Sequence, residues 1–261
     1  MPLFKVNTNN YEIGYAITKR NELIPMKEER FSISIRGTRG GYPKPGISTV
    51  RYGGNTTCFE IRAGEHLIIV DAGTGIIDLG KEILADYNTT GNPMRMLLLF
   101  THHHHDHTQG FPFFEPILHP MARIDIFGIN PDKNTSLREE LIRLLQPPVS
   151  PLSMDVPHSQ IHFRQIRGGD TIVAPNNLRE PEVIGCHEEP GNMGADYVYI
   201  QTLRGKHHPY SGILFLRINY NNHSIVIATD TEGFIGGDRD LINFAMGADL
   251  LLHDAEYDET E

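Results

Sequence analysis

The chain has 261 residues, of which 39% are hydrophobic, and a formal net charge of −10 from 23 basic and 33 acidic residues. This length supports one large domain or two small ones, and the acidic charge argues against a protein that grips long nucleic acid, which usually presents a basic face. The apolar runs are too short to span a bilayer, no N-terminal signal pattern is present, and the two cysteines form no CxxC pair, so we expect a soluble cytoplasmic protein without a disulfide framework.

Four strands are predicted in the first half of the chain. A polar N-terminal extension, residues 1–30, precedes them and is interpreted as a strand plus a loop. Alternating or continuous apolar residues then predict strands at 31–37, 56–62, 66–75 and 95–100, of which the third ends in a tight Asp-Ala-Gly-Thr-Gly turn. Glycine and proline make residues 36–46 a loop, and helical spacing of apolar residues predicts a helix at 76–87.

The second half continues the mixture of strands and helices. Residues 134–148 predict a helix that Thr135 or Ser136 can cap and that a proline pair follows. Further strands are predicted at 160–166, 213–220 and 223–231, the last two joined by a hairpin turn, and residues 240–257 predict a helix and then a strand. We interpret residues 31–261 as one α/β domain with many strands and a few covering helices.

The run 100-FTHHHHDHTQG-110 lies where a predicted buried strand ends and a loop begins. A purification tag would lie at a terminus, outside the fold. The end of a strand is instead a place where a rigid scaffold presents reactive groups. The run therefore indicates a site within the fold, with a solvated polar loop as the plainer alternative.

The spacing within this run favours two metal ions. His102, His104, Asp106 and His107 carry the imidazole and carboxylate groups that zinc and similar divalent ions prefer. Four such groups within six residues exceed the needs of one tetrahedral ion plus water. We expect His102 and His104 to bind one ion, Asp106 and His107 to bind the other, and the two remaining histidines of the run to point away.

Further ligands are expected from distant parts of the chain. Asp230 ends a predicted strand, where its carboxylate can bridge two cations or can be an ordinary turn aspartate. His208 is favoured over His207 to complete the first metal site, and His187 is a weaker candidate that is more typical of a surface residue. Asp71 is either a partner that orients a histidine or a cap of the turn and helix that follow it.

Several stretches together resemble one superfamily of enzymes. They are 102-HHHHDH-107, 70-VDAGTG-75, 52-YGGNTTC-58, 228-ATDTE-232 and 252-LHDA-255. They resemble the metallo-β-lactamase superfamily over about residues 31–261. They are most similar to its phosphodiesterase branch, which includes ribonuclease Z, phosphoribosyl cyclic-phosphate diesterases and cyclic-nucleotide phosphodiesterases. The resemblance implies a four-layer αβ/βα sandwich with metals at one edge, between two sheets.

The resemblance also implies a ligand set. It assigns His102, His104 and His208 to the first metal, Asp106 and His107 to the second, and a bridging role to Asp230. The implied cofactors are two divalent ions, with zinc first and manganese as the alternative. Asp106 is expected to be catalytic, because it can orient or deprotonate the attacking water. Related enzymes are often homodimers, and we expect the same here.

One departure from the family pattern concerns the end of the sequence. In this branch the chain normally continues after the His-Asp-Ala segment through a Gly-His-Ser-Thr segment that helps the leaving group. A last strand then supplies a histidine to the second metal. The sequence stops at Glu261 without either segment, so we expect a domain that lacks its C-terminal end. His253 belongs to the His-Asp-Ala segment and is not assigned the last-ligand role.

The predicted activity is hydrolysis of a phosphodiester, either a cyclic nucleotide or another small cyclic phosphate, by a hydroxide that two metals activate. The acidic charge and the lack of an RNA-clamping arm favour a small substrate. Tyr42, Tyr52 and Tyr210 lie on loops where they can stack on a base or simply pack the loop. The alternatives are a ribonuclease Z-like nuclease, a thioester or lactone hydrolase, and an inactive truncated member.

Overall fold

Two mixed β-sheets pack face to face, and helices cover their outer faces. In this computed structural model, the described residues are 31–148, 150, 159–188, 197–206, 212–232 and 236–255, together with the backbone of two short strands at 6–8 and 11–12. No helix in this part of the chain combines the length and the apolar composition needed to cross a membrane.

The first sheet has eight described strands in the order β2-β1-β3-β4-β5-β6-β7-β8. Their bounds are β1 Val6–Thr8, β2 Tyr11–Glu12, β3 Phe31–Gly37, β4 Cys58–Ala63, β5 His66–Val70, β6 Met94–Phe100, β7 Ala122–Gly128 and β8 Gln160–Gln165. Strands β3, β4 and β5 pair antiparallel, whereas β5, β6, β7 and β8 run parallel. The parallel strands therefore end at one common edge of the sheet, which is where α/β proteins usually place a site.

The second sheet has six described strands in the order β10-β9-β11-β12-β13-β14. Their bounds are β9 Thr171–Pro175, β10 Glu182–Ile184, β11 Tyr197–Gly205, β12 Ile213–Tyr220, β13 His223–Ala228 and β14 Leu250–His253. All neighbours pair antiparallel except β13 and β14, which are parallel. A backbone hydrogen bond of 3.0 Å from the Leu214 N–H to the Thr101 carbonyl ties this sheet to the end of β6.

Four α-helices are described, namely α1 Gly75–Thr90, α2 His105–Thr108, α3 Leu137–Leu145 and α4 Arg239–Ala245. Short 3-10 turns lie at Ile47–Thr49, Phe111–Phe113 and Glu115–Leu118. Helix α3 begins with a capping box, in which the Ser136 hydroxyl and the Glu139 carboxylate each satisfy the other residue's backbone N–H. Its apolar side, Leu137, Leu141 and Leu145, is buried.

Three apolar clusters define four layers. The largest cluster lies between the sheets and joins residues of both, such as Ile61 and Leu99 with Leu214 and Ile227. A second cluster packs α1, α3 and the 3-10 turns on the outer face of the first sheet. A third, smaller cluster places Leu241 of α4 on the outer face of the second sheet. The order helix, sheet, sheet, helix confirms the four-layer αβ/βα sandwich.

The predicted elements are largely found, with shifted ends. Strand β3 has the predicted bounds, and the turn between β12 and β13 places Asn221 and Asn222 at positive φ, as a tight hairpin requires. The strand predicted within 66–75 ends at Val70, where the predicted Asp-Ala-Gly-Thr-Gly turn begins with Asp71 at a φ of 61°. The chain before residue 31 contributes β1, whose backbone pairs in parallel with β3.

Four strands were not among the predicted elements, namely β7, β9, β10 and β11. Strand β11 carries an alternating signal, since Val198, Ile200 and Thr202 are buried while the residues between them are more exposed. Strand β7 is buried on both faces, although the charged residues Arg123 and Asp125 alternate with its first apolar residues, a period of two that is typical of a strand.

Candidate metal centre

The site forms at the edge where β5 and β6 end. The chain after β6 runs from Thr101 through the histidine run into helix α2, and the chain after β5 turns at Asp71. Asp230 reaches the same place from the second sheet, two residues after β13 ends at Ala228. The predicted site residues of the histidine run and Asp230 therefore meet between the two sheets, although they are separated by more than 120 residues of sequence.

Two groups of candidate ligands share one carboxylate. One ligand atom from each of His102, His104 and Asp230 lies within 4.8 Å of the others, and the same holds for Asp106, His107 and Asp230. The ring centroids of His102 lie 4.4 Å from His104 and 4.2 Å from His107. The side chains that were predicted to bind two separate metals thus form two adjacent groups, and Asp230 belongs to both.

Asp71 fixes the orientation of two of these histidines. Its carboxylate accepts hydrogen bonds from the Thr101 N–H and hydroxyl, both at 2.8 Å, and from His107 Nδ1 at 2.7 Å. Because the Thr101 hydroxyl donates to Asp71, it accepts from His102 Nδ1 at 3.1 Å. Both rings therefore carry a proton on Nδ1, so Nε2 is the nitrogen of each ring that would bind a metal.

Asp106 is held by the backbone of a distant loop. The Gly41 N–H donates to Asp106 Oδ2 at 2.8 Å, and the same oxygen lies 3.7 Å from His107 Nε2. Gly41 has a φ of 75°, a conformation that favours glycine. The Asp106 carboxylate is buried and thus directed towards His107 rather than towards solvent.

The electrostatics of the pocket favour a cation. Burial opposes a positive charge on His107, but Asp71 and Asp230 outweigh it and raise the pKa of His107 to about 10. His107 Nε2 lies 3.1 Å from Asp230 Oδ2. The proton between these two atoms therefore occupies the place that a cation bound by both residues would take. Imidazole nitrogens and carboxylate oxygens are ligands of zinc, and carboxylates also suit manganese, so the donor set fits the predicted metals.

Comparison with solved structures gives several matches at low sequence identity. The short form of human tRNase Z is 18% identical, with 87% of this chain and 79% of that chain covered and a TM-score of 0.52. A diphosphatase from the PhnP family is 14% identical, with 85% and 73% covered and a TM-score of 0.50. The metallo-β-lactamase fold protein YhfI from Bacillus subtilis is 16% identical, with 84% and 69% covered and a TM-score of 0.49.

The four layers and the two matches with TM-scores of at least 0.5 decide the architecture. The chain has the metallo-β-lactamase fold. No protein-family model matches the sequence, and no curated protein is similar to it at a significant level. The four layers and the matching solved structures confirm the fold that was expected from the sequence.

The other histidines of the run lie away from the candidate ligands. His103 Nε2 contacts the Ile129 carbonyl at 2.7 Å, and its ring stacks on Phe100. Burial lowers the pKa of His103, against the raising effect of that carbonyl. His105 is exposed on α2. Neither belongs to the two ligand groups, in agreement with the expectation that they point away.

The remaining predicted candidates have different outcomes. His207 and His208 lie outside the described residues, so the proposed third ligand of the first metal stays a prediction. His187 is exposed on a turn and belongs to neither ligand group. His253 is the last residue of β14, and it belongs to neither ligand group. Its Nε2 lies 3.4 Å from the Thr231 hydroxyl, and its Nδ1 contacts the Asp254 carbonyl.

Two contributors to the site were not singled out in the sequence. Thr101 links Asp71 to His102 through its hydroxyl, and Gly41 holds Asp106 through its backbone. A threonine between a buried strand and a histidine run is a signal that could have found the first. A backbone N–H has no residue-specific signal, so the second follows only from the folded structure.

Proposed function

We propose that this chain is a metal-dependent hydrolase that cleaves phosphodiester bonds with two divalent cations, zinc or manganese. The single observation that carries the proposal is that Asp230 belongs to both ligand groups, which is the arrangement of a bridging carboxylate. His102 and His104 would hold one cation together with His208, and Asp106 and His107 would hold the other. Adjacent cations of this kind occur in phosphatases and nucleases.

The chain's own residues would position the reacting groups. When bound, the cations would supply Lewis acidity, which lowers the pKa of a water molecule and neutralises charge on the phosphate oxygens. Asp71 keeps the Nε2 lone pairs of His102 and His107 available, directly or through Thr101. Asp106, whose carboxylate the Gly41 N–H orients, would accept a hydrogen bond from the attacking water and align it with the phosphorus.

The proposed substrates are cyclic nucleotides or other small cyclic phosphates. The motifs that resemble the phosphodiesterase branch support a phosphodiester, and the net charge of −10 supports a small substrate over a long polyanion. Two of the fold relatives reported above, each with a TM-score of at least 0.5, are named as a tRNase and a diphosphatase, which also favours phosphate chemistry. A ribonuclease Z-like nuclease is the second candidate, because the tRNase is the fold relative with the higher TM-score of the two.

A substrate panel tests this proposal. The purified chain, loaded with zinc or manganese, would be assayed in parallel on 2′,3′- and 3′,5′-cyclic mononucleotides, a structured precursor RNA and an acyl thioester. We expect turnover of a cyclic mononucleotide. Turnover of the RNA alone would favour the nuclease, and turnover of the thioester alone would refute phosphodiester chemistry.

A matched pair of variants ties any activity to the site. Asp106→Ala should abolish turnover, because it removes both a candidate ligand and the group that orients the water. His105→Ala changes the preceding, exposed residue of the same helix and should retain turnover within about twofold. Wild-type activity in Asp106→Ala would show that the reaction does not use this site. The expected homodimer is tested separately by sedimentation equilibrium.

A further inference from the structure

A basic loop, defined as residues 38–55, is built onto the candidate metal centre. Near its start, the Gly41 N–H donates to Asp106 at 2.8 Å. At its two ends, the Arg39 N–H donates to the Asn55 carbonyl at 3.0 Å, and the Lys44 N–H donates to the Gly54 carbonyl at 2.9 Å. The basic loop is therefore closed on itself, with an inner part beside Asp106 and an outer part beyond the Lys44–Gly54 hydrogen bond.

The charge of the basic loop is opposite to that of the whole chain. It contains Arg39, Lys44 and Arg51 and no acidic residue, whereas the chain carries a net charge of −10. Two tyrosines lie in it, and both are exposed, Tyr42 by 60% and Tyr52 by 67%. A ring that only packs a loop is usually buried, so this exposure favours the base-stacking alternative for both tyrosines. Exposed aromatic rings interleaved with basic side chains are typical of surfaces that bind nucleotides.

Tyr42 lies in the inner part, one residue from the backbone group that contacts Asp106. The Arg39 guanidinium lies over one face of the Tyr42 ring, 5.2 Å from its centroid, and holds the ring in place. Arg39 Nε is buried and has no hydrogen-bond partner among the described residues. Because this nitrogen is covered, it does not itself present a donor to a ligand.

Tyr52 offers an internal comparison, because its local environment is similar. The Arg51 guanidinium lies 4.9 Å from its ring centroid. Tyr52 lies in the outer part of the basic loop, however, beyond the Lys44–Gly54 hydrogen bond and away from the Gly41–Asp106 contact. The two tyrosines thus differ mainly in their distance along the loop from the candidate metal centre.

We propose that Tyr42 is the base-binding residue of this enzyme, and that the substrate class is a nucleotide. The nucleobase stacks on the face of Tyr42 opposite Arg39 while the phosphate lies at the candidate metal centre. Arg39 is a positioning residue that fixes the ring and donates to the sugar or phosphate. The proposal rests on the proposed function for the location of the phosphate, and it explains why the basic loop is anchored to Asp106.

The test measures binding rather than turnover. Isothermal titration of the full, metal-loaded chain would compare adenosine 5′-monophosphate with ribose 5-phosphate, which lacks the base. We expect the wild type to bind the nucleotide more tightly by about fivefold or more, as one base stacked on one aromatic ring provides. Tyr42→Ala should lose that difference, and its affinity for ribose 5-phosphate should stay within about twofold of the wild-type value. Tyr42→Phe should keep the preference.

Tyr52→Ala is the matched control and should bind both probes like the wild type. The proposal would be overturned if Tyr42→Ala weakened the binding of both probes equally, or if Tyr52→Ala lost the base preference as Tyr42→Ala does. It would also be overturned if the wild type bound neither probe or bound both with the same affinity. The outcome is distinguishable from failure of the proposed function. A base preference that depends on Tyr42 in a chain without phosphodiesterase turnover would refute only the function, and turnover without that preference would refute only the role of Tyr42.

Discussion

Replacement of Asp71 by asparagine would test how the candidate metal centre is organised. Asparagine has nearly the shape of aspartate and tolerates the positive φ of 61° that Asp71 adopts, so the backbone should be preserved. Its amide, however, presents hydrogens where one carboxylate oxygen accepted them. In a first orientation the amide oxygen faces the Thr101 N–H, and the amide nitrogen then faces the Thr101 hydroxyl and His107 Nδ1. In the opposite orientation the amide nitrogen faces the Thr101 N–H, so two donors oppose each other.

The first orientation changes the tautomer of His107. Its Nδ1 would have to accept a hydrogen bond, so the ring proton would move to Nε2 and cover the lone pair that faces Asp106 and Asp230. The hydroxyl of Thr101 would also lose its acceptor and with it the defined orientation of His102. Loss of such an outer partner typically lowers metal affinity by about 10- to 100-fold, which corresponds to roughly 1.4 to 2.8 kcal/mol.

Competition with a chromophoric chelator would measure this change for zinc and manganese. Asp125→Asn is a suitable control, because Asp125 is also a buried carboxylate but pairs with Arg123, Arg164 and His162 instead of with any candidate ligand. We expect Asp125→Asn to lower thermal stability and to leave metal affinity unchanged. Metal affinity within twofold of wild type in Asp71→Asn, or an equal loss in Asp125→Asn, would refute the orienting role of Asp71.

Three further predictions follow from the structure. Asp230→Asn should reduce the metal content of the purified chain by at least one ion, as measured by elemental analysis, because the two ligand groups share this carboxylate; unchanged content would exclude a bridge. Gly73→Ala should lower the free energy of unfolding, measured in urea, by about 1–3 kcal/mol, because its Cβ would lie 2.4 Å from the Asp106 carbonyl oxygen. Gly185→Ala is the control and should leave the free energy of unfolding unchanged, because nothing lies within 4 Å of its Cβ. Burial lowers the pKa of His66 despite a backbone carbonyl that raises it, so the unfolded chain binds the proton more readily and stability falls as the pH drops below about 6.5. The melting temperature of His66→Gln should therefore fall less than that of the wild type between pH 7 and pH 5. An identical pH dependence of the two melting temperatures would contradict this.

Local sequence signals predicted much of the secondary structure. The alternation in β3, the capping residues of α3 and the Asn221-Asn222 turn each act within a few residues, so they could be read directly. The layering depends instead on which strands pair over long distances. The order of β9, β11 and β12 in the second sheet is a property of the whole fold, and only the resemblance to a known family predicted that there are two sheets.

The candidate site shows the same division. The spacing of His102, His104, Asp106 and His107 was sufficient to predict a metal site, because these ligands lie within one short segment. Asp230 was found from its place at the end of a strand, although nothing in the residues alone brought it to the same edge. The contact between Gly41 and Asp106 could not be predicted, since a backbone N–H is the same in every residue other than proline.

The most direct test of a dinuclear centre is metal stoichiometry. The purified 261-residue chain, free of any tag, would be loaded with zinc or manganese, desalted and analysed for metal and protein in the same sample. We expect about two tightly bound ions per chain in the wild type, and fewer in Asp230→Asn. A wild-type value of one ion or none, or two ions retained in Asp230→Asn, would contradict the shared carboxylate and the two-metal chemistry that depends on it.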